Sequence, residues 1–292
     1  TMARHIIGDR QGVASPRSPL TDYELTLLLK ESPTAQVVFG SAALGIERVV
    51  EVIQRQAQRE TGHPAIVVDS LQAPDLKRAG AGGKRTHVIV DLRRAKPDGN
   101  LAHLCREAAA RKSVTATVVV GPAWIASLDN LDEIPVHTLR RWSTAGLRAW
   151  YESPFESPAD RARLHRVTSG WPKLIEEVMG DYAKNRSPQD SLEQLSARLA
   201  TPERAKKMLA DSGIDPQVAK AWVKSVLFEG RDAASIEQLP VTVESISEAL
   251  GTDGAQLLSR LESLDVADQD GDNWYLDRVI LAAAATVYQE PE

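Results

Sequence analysis

The sequence predicts an α/β protein. A parallel sheet covered by helices spans 33–140, a helical region follows over 141–231, and a helix–turn–helix–hairpin segment closes the chain over 232–292. Three observations carry this. Short, nearly all-apolar runs alternate with helical patterns in the first part, the pattern of a parallel sheet buried on both faces. The apolar spacing then becomes helical throughout. Near the end, two short strand candidates flank Asp270-Gly271, a strong hairpin signal.

Residues 1–32 are an N-terminal arm and a helix. Gly8, Gly12, Pro16 and Pro19 interrupt the arm, and Asp22 to Lys30 sets Leu25, Leu28 and Leu29 on one side. Ala35 to Phe39 is the first strand, and Leu44 to Arg59 the first covering helix. Ala65 to Val68 is a second strand, Ala79 to Gly83 a glycine-rich loop, and His87 to Leu92 a third strand. Asn100 to Lys112 is a helix, and Val114 to Val120 a fourth strand stopped by Gly121-Pro122. Ile134-Pro135-Val136 is a short fifth. Beyond the sheet, Trp142 to Tyr151, Pro158 to Val167 and Trp171 to Tyr182 read as helices. The charged run Lys184 to Asp190 reads as a linker, and helices continue to about Gly230. Val243 to Leu250 and Asp253 to Leu264 are two helices about a Gly251-Thr252 turn, with Thr252 or Asp253 as the cap. Strands at Val266 to Asp268 and Asn273 to Leu276 follow. That order is the order of a winged-helix domain.

The 292 residues are 42% hydrophobic and 26% charged, so a folded globular protein is expected. No apolar run approaches the ~20 residues of a membrane span. No basic-then-apolar leader opens the sequence, and a cytoplasmic setting is expected. The single cysteine, Cys105, excludes an intrachain disulfide and any multi-cysteine metal site. It reads as a small buried apolar residue. Six scattered histidines form no metal-binding helix, and no Gly-x-Ser-x-Gly elbow occurs. No catalytic residue and no metal ligand is assigned. Asp69 and Asp91 each end a strand, at the edge where α/β proteins place their sites.

The net charge of −5 hides an asymmetry. From Asp232 onward there are thirteen acidic and two basic residues, a net of −11, against +6 for 1–231. The acidic segment would repel DNA phosphates, so its winged helix is expected to contact other protein subunits or domains. Basic residues cluster earlier. Arg93, Arg94, Arg140, Arg141 and Arg148, with Trp142 and Trp150 nearby, are candidate anion or nucleic-acid contacts. Trp171 and Trp222 read as core residues.

Between the first strand and its helix stands Gly40-Ser41-Ala42-Ala43-Leu44-Gly45-Ile46-Glu47. Both glycines have phosphate-loop spacing, which lets backbone N–H groups surround a phosphate at a helix N-terminus. Ile46 takes the place of the lysine, and Glu47 that of the hydroxyl residue. Val88-Ile89-Val90-Asp91 resembles a Walker B strand, with Asp91 as the acid and Leu92 where a catalytic glutamate would stand. No polar sensor follows Val118-Val119-Val120-Gly121. Gly170-Trp171-Pro172 resembles the Gly-x-Pro signature of lid helices, and Ile6-Ile7-Gly8-Asp9-Arg10 loosely resembles the box that precedes the loop.

Together these resemble a divergent STAND/AAA+ P-loop ATPase module of the origin-recognition type, followed by a winged helix. The resemblance implies a P-loop-type sheet with a helical lid, in a family that binds ATP and uses it to switch or assemble. The departures at Ile46, Glu47 and Leu92 lie on the catalytic side. The expectation is therefore a catalytically degenerate, non-enzymatic scaffold or regulatory component of a larger nucleic-acid-handling or defence complex, with no cofactor. Two alternatives stay open: a nucleotide-gated switch binding ATP or ADP through an altered loop, and a DNA-binding protein using the basic α/β and lid surface.

Overall fold

The computed structural model describes residues 5–6, 20–30, 35–69, 86–97, 101–111, 114–131, 133–150, 153–227, 240–251 and 253–288. The Ala79–Gly83 loop, Thr252, Lys112 and most of the N-terminal arm lie outside them. The chain divides into two units, one of 1–140 with 148–152 and the other of 141–147 with 153–292.

The first unit is built on a six-stranded sheet. In chain order the strands are β1 (His5–Ile6), β2 (Ala35–Phe39), β3 (Ile66–Val68), β4 (Thr86–Asp91), β5 (Val114–Val120) and β6 (Val136–Thr138). In space they run β1-β6-β2-β5-β4-β3, and every pairing is parallel. The helices are α1 (Asp22–Lys30), α2 (Ile46–Thr61) and α3 (Leu101–Ala109). β2 and β5 are buried along their whole length, which is why they read as nearly all-apolar runs, broken only by Gln36, Thr115 and Thr117. Since all strands point one way, the loop after β2 and Asp91 at the end of β4 emerge at the same carboxyl edge, with β5 between them.

One polar row crosses this core. The Gln36 amide donates to Leu28 O at 2.7 Å and to Thr117 Oγ1 at 3.0 Å, tying α1 to the sheet. Leu28 O only accepts, so the amide nitrogen must face it, and Gln36 Oε1 is left to accept from His137 Nε2 at 3.2 Å. His87 bridges Thr115 and Thr117 on the same sheet.

The second unit contains α4 (Pro158–Thr168), α5 (Pro172–Asn185), α6 (Pro188–Leu199), α7 (Pro202–Ser212) and α8 (Pro216–Leu227). Then come α9 (Val243–Leu250), α10 (Gly254–Ser263), the antiparallel pair β7 (Ala267–Asp270) and β8 (Asn273–Leu276), and α11 (Arg278–Tyr288). The five helices from α4 to α8 all begin with proline at the first position, where its missing N–H costs nothing. Ser157, Ser187 and Thr201 cap three of them by accepting from Asp160, Asp190 and Arg204 N–H. Each such cap is worth about 1 kcal/mol. Ion pairs Lys173–Asp211, Glu177–Arg198 and Asp181–Arg198 bind α5 to α6 and α7.

Several elements differ from the sequence reading. The expected helix from Trp142 is a single 3-10 turn, Gly146–Ala149. There Trp142 N–H donates to Gly170 O at 2.8 Å and Arg141 N–H to Asp265 Oδ2. The expected linker at Lys184 to Asp190 is a tight turn. Arg186 stops α5 at φ 58, and Ser187 caps α6 directly. The fifth strand of the sequence reading starts later, at Val136, because Pro135 has no N–H for the ladder and contributes only its carbonyl, which accepts from Val37 N–H. Two elements were not anticipated. β1 is a two-residue edge strand, and α11 buries apolar residues around much of its circumference, leaving no polar stripe to show its period.

Candidate functional site

Two sets of residues were singled out by sequence, the loop edge of the sheet and the lid motif. The loop comes first. Gly45 sits at φ 82, ψ 20 and starts α2, a conformation that L side chains adopt at a cost. Around it the loop is closed on itself. Leu44 N–H donates to Ser41 O at 3.1 Å, Gly45 N–H to Ala42 O at 3.0 Å and Ile46 N–H to Ser41 O at 3.3 Å. A phosphate cradle needs amides of this kind aimed at the anion. Ser41, Ala43, Leu44 and Ile46 are all buried, which explains the closure: this loop carries apolar side chains that belong to the core. Glu47 lies exposed in the first turn of α2, where its carboxylate complements the positive end of the helix dipole.

The other half of the edge is equally self-contained. Arg93 grips Asp91 with two bonds, Nε to Oδ1 and Nη2 to Oδ2, both 2.7 Å. Its Nη1 donates to Ile46 O at 3.3 Å, joining the end of β4 to the start of α2. The Arg93 hydrogen bond holds the Asp91 carboxyl below its ordinary value, outweighing the opposing effect of burial. Arg93 is raised in turn, chiefly by that same bond to Asp91, with Glu47 adding to it. Leu92, at the expected glutamate position, is buried, and its carbonyl accepts from the Trp124 indole at 3.0 Å. Trp124 also donates to Ala95 O. It stands just beyond Gly121, and nothing in the sequence pattern marked it for this role.

In the second unit the lid motif is a structural joint. Gly170 has φ +75, and a Cβ there would come 1.9 Å from Trp142 O. Only glycine fits. The Trp171 indole donates to Asp277 Oδ1 at 2.9 Å, and Pro172 opens α5. Asp277 also accepts from Val279 and Ile280 N–H and so caps α11.

Arg141 completes this joint. Its guanidinium reaches Asp277 Oδ2 at 2.5 Å, both oxygens of Asp268 at 2.7 and 2.9 Å, and Asp265 at 3.4 Å. It also lies over the Trp171 ring, 5.7 Å from the centroid. Burial works against its charge, but Asp277, Asp265 and Asp268 outweigh burial and raise its pKa. Sequence reasoning did not find these partners, which lie more than a hundred residues along the chain.

The five candidate arginines therefore separate. Arg93 and Arg141 are committed to carboxylates, Arg140 is half-buried, and Arg94 and Arg148 are exposed. Trp142 and Trp150 are buried and present no open ring for stacking. Burial pushes the Cys105 thiol up to about 12, so it is protonated near neutrality and is no nucleophile. Among the described residues no group of three His, Cys, Asp or Glu is placed to hold a metal ion, and no helix is long and apolar enough to cross a membrane.

No family model matches the chain, and no curated protein does. Solved structures do. A Walker-type ATPase of Pyrococcus abyssi superposes with a TM-score of 0.53 at 12% identity, over 95% of this chain and 99% of that one. The chain has a P-loop ATPase-like fold. A STAND protein with a tetratricopeptide repeat sensor from Pyrococcus horikoshii matches at a TM-score of 0.34 and 12% identity, over 96% of this chain and 43% of that one. Gly40–Gly45 follows β2 and Asp91 ends β4, both at the carboxyl edge of the sheet. The likeness is one of fold, at 12% identity.

Proposed function

We propose that this chain is a catalytically degenerate AAA+/STAND-like ATPase module. It serves as a scaffold or regulatory protein-interaction component of a larger complex, one that handles nucleic acid or acts in defence. The observation that carries this reading is the internal neutralisation of the loop edge. Arg93 answers Asp91, Glu47 answers the helix terminus, and the loop amides answer loop carbonyls. Hydrolysis draws on a lysine over the outer phosphates, a hydroxyl on magnesium and a residue that orients water. The side chains at the corresponding positions supply none of these.

Residues 240–288 act in this reading as a winged-helix protein-contact domain. The support is the sequence of α9, α10 and the β7–β8 hairpin, with Val241 bridging Trp274 on the hairpin's flank. Its exposed acids, among them Glu244, Glu248, Asp253, Glu262, Asp270 and Asp272, favour a basic protein partner over a phosphate backbone.

Calorimetric titration with Mg-ATP and with ADP tests the central point, and no heat of binding is expected. Ile46→Lys with Glu47→Thr should also stay blind to nucleotide, because restoring the side chains leaves the Leu44, Gly45 and Ile46 amides bonded within the loop. A turnover that survives rigorous purification and is lost on Asp91→Ala would overturn the reading.

A further inference from the structure

The three carboxylates around Arg141 are not equivalent. Asp277 and Asp265 are buried, their side chains 2% and 10% exposed, while the Asp268 side chain is 61% exposed. Asp277 is also held by the Trp171 indole and by the α11 cap. Asp265 sits at φ 58 and accepts from Arg141 N–H as well. Asp268 lies on β7, paired across the hairpin with Tyr275, and bonds Arg141 through Nη2 alone.

We infer that the β7–β8 hairpin carries a releasable latch: Arg141 is fixed in unit 2 by Asp277 and Asp265, and Asp268 fastens the hairpin to it reversibly. When Asp268 lets go, Arg141 keeps two buried carboxylates and its place over Trp171, so no buried charge is left unpaired. The exposed leg is weak and screened by salt, as surface ion pairs are. Released, Asp268 joins Asp270 and Asp272 as a third free acid along the hairpin. Only the outer part of the hairpin is free to respond. Its flank stays fixed by the Val241–Trp274 bridge and by burial of Ala267, Trp274 and Leu276. The latch stands on the geometry of this unit and does not depend on the scaffold reading.

Amide hydrogen exchange of the full chain tests it. In Asp268→Asn the amides of the outer hairpin, Gln269, Asp270 and Asn273, should exchange about two- to fivefold faster, the range of an exposed pair, and those of Ala267, Trp274 and Leu276 should not. Those of α11 and of the α4–α5 turn should be unchanged. Raising salt should accelerate the same hairpin amides in the unmodified chain and do nothing further in Asp268→Asn. Hairpin exchange that ignores both salt and the substitution would overturn the latch. So would an equal acceleration in α11, which would make Asp268 one more part of a single rigid cluster. The salt titration needs no variant, so the inference remains exposed to failure even if Asp268→Asn folds poorly.

Discussion

Each unit of this protein closes an arginine on aspartate, and the two closures are built on different scales. Arg93 and Asp91 are two residues apart and about a quarter exposed, with side chains 21% and 25% accessible. Arg141 gathers Asp265, Asp268 and Asp277 from far along the chain, and its own side chain is only 13% exposed. The first contact neutralises an edge where a P-loop fold ordinarily does chemistry. The second joins the start of a unit to its last helix. The same pair of residue types thus neutralises a sheet edge in one place and fastens a fold in the other, and the second is the more deeply buried.

The sharpest way to break this comparison is to remove each arginine. Arg141→Ala leaves Asp277 and Asp265 charged and buried, and losing one partner of a buried pair costs about 3–5 kcal/mol. Arg93→Ala exposes Asp91 at an edge that water reaches, and about 1 kcal/mol is expected. Denaturant unfolding of both variants, followed by tryptophan fluorescence, measures the difference. Equal losses would mean that burial does not separate the two contacts.

Two of the glycines in left-handed geometry, one from each unit, sharpen it further. Gly170→Ala drives a Cβ into Trp142 O, a backbone atom that cannot swing away. A loss of about 3 kcal/mol is expected, from backbone strain and from rupture of the Trp142–Gly170 hydrogen bond. Gly45→Ala carries the conformational penalty of a side chain at φ 82, about 1–2 kcal/mol. Thermal melts of the pair would show whether the lid motif is the more constrained of the two turns.

How much of this could be read from residues follows the same division. The sheet was legible because strands buried on both faces are nearly all apolar, and Val114–Val120 matched to the residue. Ser157, Ser187 and Thr201, each standing before a proline, cap helices the sequence reading left uncapped, Ser187 in a stretch read as linker. Ile46 and Leu92 stood out in the sequence for the phosphate-loop and Walker B patterns they depart from. The contacts around them did not. The Arg93 grip depends on a rotamer, and the closure of Gly40–Gly45 depends on Leu44 and Ile46 being needed by the core. The Arg141 cluster was invisible because its partners are 124 to 136 residues away, and charge runs carry no record of long-range pairing. Arginine, rich in donors and placed beside two tryptophans, read as a binding residue when it is a joint.

Acid should finally separate the two units by where each begins to lose stability. His165 is lowered below its ordinary 6.5, first by burial and then by the Arg141 charge, with Arg278 adding and Asp277 and Asp268 opposing. Between its folded and unfolded values the unfolded chain binds the extra proton, so stability rises with pH there. Its contribution is complete above about pH 6.5 and declines as pH falls through the lowered folded value. Asp91 is lowered below 3.8 by Arg93, so its contribution is complete above that value and is lost only as pH falls through the lowered one. The second unit should therefore soften first on acidification, in mildly acidic buffer, and the loop edge only in strong acid. Unfolding midpoints across this range, compared between the unmodified chain, His165→Gln and Asp91→Asn, read the two windows apart. His165→Gln should flatten the slope just below pH 6.5 and leave the strongly acidic limb alone, and Asp91→Asn should do the reverse. The effect is small because both groups are partly solvated, and an unchanged slope in His165→Gln would show that burial and the Arg141 charge do not lower the imidazole.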